Sequence, residues 1–275
     1  MSDLGWIDAA VLGLVEGLTE YLPVSSTGHL LVASRLLGIG GDDRTQGALD
    51  AYAICIQSGA ILAVVVLYRH RTAQLVQGAL GRSPGGRRIL VALAVAFAPA
   101  AVTGLLAGAL VKSLLFGVVP VAVAWMAGGL FILGTRDRPW TRGGNLGLEL
   151  IGVRQAAVIG LAQTVALWPG ISRSLVTILA ALCIGCSMKA AVEFSFLLGL
   201  VTLGAATAYE ALRSGPEMIE VFGVAAPALG LVVAFAAALT SIRWMVGWLE
   251  TRSLAVFGWY RLGIGAVVLL ALAVS

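Results

Sequence analysis

Apolar residues run through this chain in long blocks, and the polar residues that interrupt them follow two different patterns. Six blocks, at roughly 51–68, 89–111, 114–134, 190–210, 221–242 and 254–274, read as ordinary membrane spans, some with a polar residue toward one end. A helix needs about 20 apolar residues to cross the hydrocarbon core. Two further apolar stretches differ in kind. Residues 6–37 include Glu16, Glu20, Pro23, Ser25, Ser26 and His29, and residues 150–186 include Arg154, Gln163, Pro169, Gly170, Ser172 and Arg173. Breaks such as LPVSSTGH and WPGISRS free backbone groups that lipid does not satisfy, so they belong where protein or a watery cavity surrounds them. The pattern predicts an all-α polytopic membrane protein with six transmembrane helices and two re-entrant helical hairpins.

The two interrupted segments also align with each other at an offset of 147 residues, which places Gly13 on Gly160, Leu14 on Leu161, Glu16 on Gln163, Ser25 on Ser172 and Thr27 on Ser174. Each precedes three spans. The chain therefore reads as one integral membrane domain, 1–275, made of two repeats at about 1–140 and 141–275. Loop charge gives their orientation, because Lys and Arg collect on the cytoplasmic side of short loops. The segment Arg69–Arg88 carries Arg69, Arg71, Arg82, Arg87 and Arg88 with no acid, and the loop with Arg136, Arg138 and Arg142 falls on the same side. Glu210, Arg213, Glu217 and Glu220 read as a net acidic outer loop. The first hairpin then starts and ends outside and the second inside. Such inverted-topology repeats place their site where broken helices meet near the midplane.

Composition narrows the function. Of 275 residues, 59% are hydrophobic and 12% charged, with a mean hydropathy of +0.97, against about 25% charged in soluble domains. Any chemistry must sit among the spans. The net charge of +4 reflects loop residues that set topology, so nucleic acid is not an expected partner. Cys183 and Cys186 form a CxxC without a second pair or a histidine cluster, and read as buried thiols in place of a zinc site. The N-terminal stretch lacks a basic leader and holds Glu16 and Glu20 in its apolar run, which argues against a cleaved signal peptide.

Glu16 and Glu20 are four residues apart, so both carboxylates share one helix face. An acidic residue at mid-helix in lipid costs about 2.5–3.5 kcal/mol on insertion scales, so the pair needs a partner. A divalent cation completed by substrate phosphate oxygens meets that need, as does an ion cluster with Arg173. Ser25, Ser26 and Thr27, followed by Gly28 and His29, put hydroxyls and free amides at a helix break, a setting that suits an anion. A serine three residues from an imidazole also offers a nucleophile and base. Arg173 lies between Ser172 and Ser174 directly after Pro169–Gly170, and a guanidinium with adjacent hydroxyls binds phosphate oxygens. Gln57 and Glu193 either line the pocket or serve packing. The GxxxG pairs Gly13/Gly17 and Gly104/Gly108 predict close helix approach, and Trp6, Trp140, Trp244, Trp248 and Trp259 read as interface anchors.

EGLTEYLPVSSTGHL at 16–30, with ALWPGISRS at 166–174, resembles the bacitracin-resistance type of undecaprenyl-diphosphate phosphatase. IQSGAILAVVV at 56–66, EFSFLL at 193–198 and YR at 260–261 extend the resemblance over essentially the whole chain. It implies an integral enzyme of the bacterial cytoplasmic (inner) membrane that removes the terminal phosphate of a C55 polyprenyl diphosphate in a pocket facing outward. The released monophosphate carrier returns to peptidoglycan and cell-wall synthesis. By the same resemblance Glu16 and Glu20 are metal-binding and catalytic carboxylates for Mg²⁺ or Ca²⁺. Ser25, Ser26 and Thr27 form the hydroxyl cluster, Ser26 is the nucleophile with His29 as base or relay, and Arg173, flanked by Ser172 and Ser174, binds phosphate. Attack by metal-bound water is the alternative. Expected partners are the bilayer and the diphosphate lipid, with a homodimer left open. The chain departs from the family pattern at Leu175, where a glycine is usual, and at Val201, where a proline is usual. Leu175 is the feature that keeps a rival reading open, a non-hydrolysing transporter or flippase of an anionic lipid.

Overall fold

The computed structural model describes residues 4–39 and 43–274, with Asp43 placed in its helix by backbone alone. Among these the fold is helical: α1 (Trp6–Thr19), α2 (Ser26–Leu36), α3 (Asp43–Leu67), α4 (Arg69–Ala79), α5 (Pro84–Leu115), α6 (Val118–Thr135), α7 (Val153–Gln163), α8 (Arg173–Cys183), α9 (Met188–Phe222), α10 (Ala225–Thr251) and α11 (Ala255–Val274). Six of them, α3, α5, α6, α9, α10 and α11, are long and apolar enough to cross a membrane. They correspond to the six uninterrupted blocks, and the two interrupted segments form the short pairs α1–α2 and α7–α8.

Several boundaries differ from the sequence reading. The acidic segment with Glu210, Arg213, Glu217 and Glu220 is not a loop: α9 continues through it to Phe222, with Pro216 inside the helix. Met218 and Phe222 pack with Leu4, Ala9, Tyr52 and Ala226, and this burial carries the helix past a residue that cannot donate its backbone hydrogen bond. The basic segment after α3 likewise forms a helix, α4. The block at 114–134 begins four residues late, because Phe116 and Gly117 lie in the break between α5 and α6.

Within each short pair the two helices contact one another, α1 with α2 and α7 with α8. Leu4 and Ala9, at the start of α1, share a buried cluster with Ile39, just beyond α2. Ile151, before α7, and Leu182, at the end of α8, share the main core cluster with Leu249 and Leu254. The seats are exchanged along the chain: α1 packs chiefly against α10, and α7 against α5. Close approach explains the glycines at these seams. A Cβ on Gly13 would collide with the Gly230 carbonyl, one on Gly17 with the Ala234 carbonyl, and one on Gly160 with the Ala96 carbonyl. Gly104 and Gly108 do not support the close approach expected of them. The nearest atom to a Cβ at Gly104 is 3.8 Å away, and none lies within 4 Å at Gly108.

Candidate active site

The two helix breaks meet in the interior, where α2 and α8 both begin. α1 delivers Glu16 and Glu20 on one face, buried at 1% and 8% exposure. Proline at position 23 ends that helical run, and Ser25, with φ 72°, turns the chain into α2. The second break follows the same plan: Gly170 has φ 98° and Ser172 φ 78° immediately before α8. Ser25 and Ser172 are the non-glycine residues with positive φ among the described residues.

Three charged or nucleophilic groups converge there. Glu20 Oε2 accepts a hydrogen bond from the Ser26 hydroxyl, and Glu20 Oε1 accepts one from Arg173 Nη2 at 3.1 Å. Arg173 Nη1 donates to the Ser195 carbonyl at 2.9 Å, and its guanidinium lies 5.4 Å from the centre of the Tyr21 ring. Its buried Nε has no hydrogen-bond partner, and neither has Glu16 Oε1. Gly199 makes room for this arginine, since a Cβ there would strike the guanidinium. A cationic donor, a carboxylate and a hydroxyl are therefore held together, with one donor and one acceptor left over.

The remaining hydroxyls join one break to the other. Ser25 Oγ accepts from the Gly170 amide at 3.1 Å. Ser174 Oγ donates to the Leu22 carbonyl at 2.9 Å and lies 3.0 Å from Ser172 Oγ, which in turn accepts from the Leu175 amide at 3.3 Å. Thr27 is exposed and takes no part in this hydroxyl network.

His29 is buried and engaged at both nitrogens. Nδ1 is 2.7 Å from the Ser25 carbonyl and Nε2 is 2.8 Å from the Tyr260 hydroxyl. A carbonyl only accepts, so Nδ1 carries a hydrogen and donates it to Ser25, while Nε2 shares a hydrogen bond with the Tyr260 hydroxyl. The Ser26 hydroxyl is directed to Glu20, and the imidazole instead braces the turn at Ser25.

α11 supplies two residues that had entered the sequence reading only as part of the YR resemblance. Tyr260 bonds His29, and Arg261 is fully buried among main-chain carbonyls of both breaks and of α6. A lone arginine inside an apolar span was the available signal. Trp125, also buried, donates to the Val24 carbonyl at 2.8 Å. Glu193 lies elsewhere, bonded to Arg71 Nε at 2.8 Å, and Gln57 is half-buried. Leu175, the departure noted above, belongs to the main apolar core with Tyr21 and Val24. Cys183 and Cys186 are free thiols, the first exposed.

No group of three or more His, Cys, Asp or Glu side chains is placed to hold a metal among the described residues. Glu16 and Glu20 nevertheless fit a hard divalent cation in part: a buried carboxylate oxygen without a partner is an oxygen ligand, and such ions commonly complete their shell with phosphate and water oxygens.

These features define a multi-pass helical membrane protein with a carboxylate, hydroxyl and guanidinium cluster between two broken helix pairs. Residues 9–267 match the family model described as Bacitracin resistance protein BacA, and the chain belongs to that family. It is 45% identical over 269 residues to the undecaprenyl-diphosphatase of Sorangium cellulosum, a match covering 96% of this chain and 85% of that protein. It is 42% identical over 262 residues to undecaprenyl-diphosphatase 1 of Chromobacterium violaceum, covering 94% and 93%. Undecaprenyl-diphosphatase 2 of Rhodospirillum rubrum is 43% identical over 263 residues, covering 96% and 93%.

Proposed function

We propose that the protein hydrolyses undecaprenyl diphosphate to the monophosphate and orthophosphate, and thereby confers bacitracin resistance. The observation that carries this reading is the Ser26–Glu20–Arg173 chain of hydrogen bonds. Glu20 is placed to take the Ser26 proton as Oγ attacks the terminal phosphorus. The bond to the bridging oxygen then breaks, and its electron pair leaves on the lipid monophosphate. Water then attacks the phosphoserine phosphorus, the P–Oγ bond breaks as Glu20 returns its proton to the Ser26 oxygen, and orthophosphate leaves with the water's oxygen and hydrogens. Arg173, through its unpaired Nε–H and its Nη groups, neutralises phosphate oxygens as charge develops. The beginnings of α2 and α8 add their free amides to the same anion. A divalent cation held by Glu16 and Glu20 would supply further charge neutralisation.

We place the reaction at the outer face of the bacterial cytoplasmic membrane, with the two helix pairs as re-entrant hairpins of inverted repeats. The exchanged seats of α1 on α10 and α7 on α5 support that reading, as does the matched backbone of Ser25 and Ser172. Basic residues at the α3–α5 and α6–α7 connections set that end inward, and the monophosphate product then returns to wall synthesis.

The test is orthophosphate release from undecaprenyl diphosphate by the purified chain in detergent, with and without EDTA, beside Ser26→Ala. The expected result is release that requires both the metal and Ser26. Well-folded wild-type protein that binds the lipid and releases no phosphate would overturn the proposal in favour of a binding or transport role.

A further inference from the structure

We propose that Arg261 is the positioning residue that holds the two halves of the active site in register, fixing Ser26 relative to Arg173 through the main chain of both breaks. The proposal deepens, and rests on, the phosphatase reading above.

All five N–H groups of this guanidinium are used, each on a backbone carbonyl. Nη1 donates to Pro23 at 3.2 Å and to Ile171 at 3.1 Å. Nη2 donates to Gly170 at 2.7 Å and to Ala124 at 2.9 Å, and Nε donates to Trp125 at 3.3 Å. Arg261 makes no ion pair with an acid among the described residues, so carbonyl dipoles alone balance its charge. Pro23 lies three residues before Ser26, and Ile171 two before Arg173. Pro23 and Gly170 also stand at corresponding positions under the 147-residue offset. One planar, rigid group therefore bonds the same point of both breaks and ties both to α6.

The seat is shaped for arginine. Gly128 on α6 leaves space that a Cβ would take from the guanidinium, and a lysine brings three donors from a single point in place of a five-donor fork. The helices that carry Arg261 have other means of staying together. Gly129 packs onto the Gly258 carbonyl and Gly265 onto Met126, and Val118, Val121, Ala122, Trp125 and Val268 form an apolar cluster across α6 and α11. Loss of the guanidinium should therefore free the breaks while leaving the α6–α11 pair assembled. Tyr260, the preceding residue, braces His29, so α11 reaches the first break through two side chains.

The experiment compares wild type, Arg261→Lys and Gly128→Ala, which keeps the arginine but crowds it. It reads kcat and KM for undecaprenyl diphosphate and amide hydrogen exchange over residues 23–30 and 170–177. A misplacement of about 1 Å costs on the order of 100-fold in rate. The expected result is a kcat loss of about that size in both variants with KM little changed, and faster exchange at the two breaks together. In Arg261→Ala, millimolar guanidinium ion should restore part of the lost kcat, with no such gain for Ser26→Ala. Folded Arg261→Lys protein with near wild-type kcat, or exchange that rises at one break only, would overturn the proposal. If wild type itself releases no phosphate, the phosphatase reading fails, and the exchange pattern still decides whether Arg261 couples the breaks.

Discussion

Ser25 and Ser172 lie 147 residues apart and hold the same left-handed backbone, φ 72° and 78°, each one residue ahead of a helix. That region costs roughly 1–2 kcal/mol for a residue with a Cβ, so each turn must be held by its surroundings. Their hydroxyls do different work. Ser25 Oγ satisfies the Gly170 amide across the site, whereas Ser172 Oγ satisfies the Leu175 amide of its own helix. Ser25→Ala keeps the backbone strain and leaves a buried N–H unpaired, an expected loss of about 1–3 kcal/mol. Ser172→Gly relieves strain while losing a cap, and a shift within about 1 kcal/mol is expected. Thermal unfolding of both variants in detergent measures the contrast.

Glu16 Oε1 is buried without a partner, and Glu20 already serves Ser26 and Arg173. Glu16→Gln preserves shape and removes one oxygen ligand's charge. Activity in this variant should need a higher divalent-cation concentration for its half-maximum, with little loss at saturating metal. A metal titration of phosphate release reads this directly, and an unchanged midpoint would separate Glu16 from the metal.

The two GxxxG pairs should respond oppositely to added methyl groups. Gly17→Ala drives a Cβ into the Ala234 carbonyl and pushes α1, with both glutamates, off α10. A fall of tenfold or more in activity is expected, on the order of the rate cost of misplacing a catalytic group. Gly108→Ala meets open space and removes a helix-weakening glycine, so activity should hold and stability should be equal or slightly higher. Paired turnover and melting assays check both.

At the basic end of the molecule, Arg71 Nη1 bonds Glu149 at 2.8 Å and its Nε bonds Glu193. The hydrogen bond from Arg71 holds the Glu149 carboxyl below its ordinary range. A carboxyl with a lowered folded-state pKa contributes stability above its unfolded pKa, and this contribution fades as pH falls through the folded value. Arg71→Gln should thus melt below wild type at neutral pH, and the gap should narrow under acid conditions. The Glu149 pair is exposed, so its share of the gap is small and salt-sensitive. Melting curves across pH at two ionic strengths test the sign.

Much of this arrangement was legible in the chain. Six uninterrupted apolar blocks gave the long helices because lipid permits few alternatives, and Glu16, Glu20, Ser26 and Arg173 stood out as polar residues in apolar runs. The partners within the site were less visible. Three adjacent hydroxyls look alike in sequence, yet backbone turn and helix phase send Ser26 to Glu20, Ser25 to the other break and Thr27 outward. Arg261 gave no sign of its five carbonyls, because main-chain acceptors leave no mark on residue identity. The acidic stretch at 210–220 reads as a loop from its charges between two apolar blocks, and the burial of Met218 and Phe222 that keeps it helical comes from distant parts of the chain.

The seating of α1 on α10 also has a bearing on biogenesis. The two glutamates are made among the first twenty residues, but the groove that receives their helix begins at residue 225. During synthesis the segment that carries the costliest charges must wait for more than two hundred residues before its place exists, an ordering that long sequence separation imposes on any chain. Until α10 arrives, the helix that carries those carboxylates lacks its main seat, so the last fifth of the chain completes the site that the first tenth began.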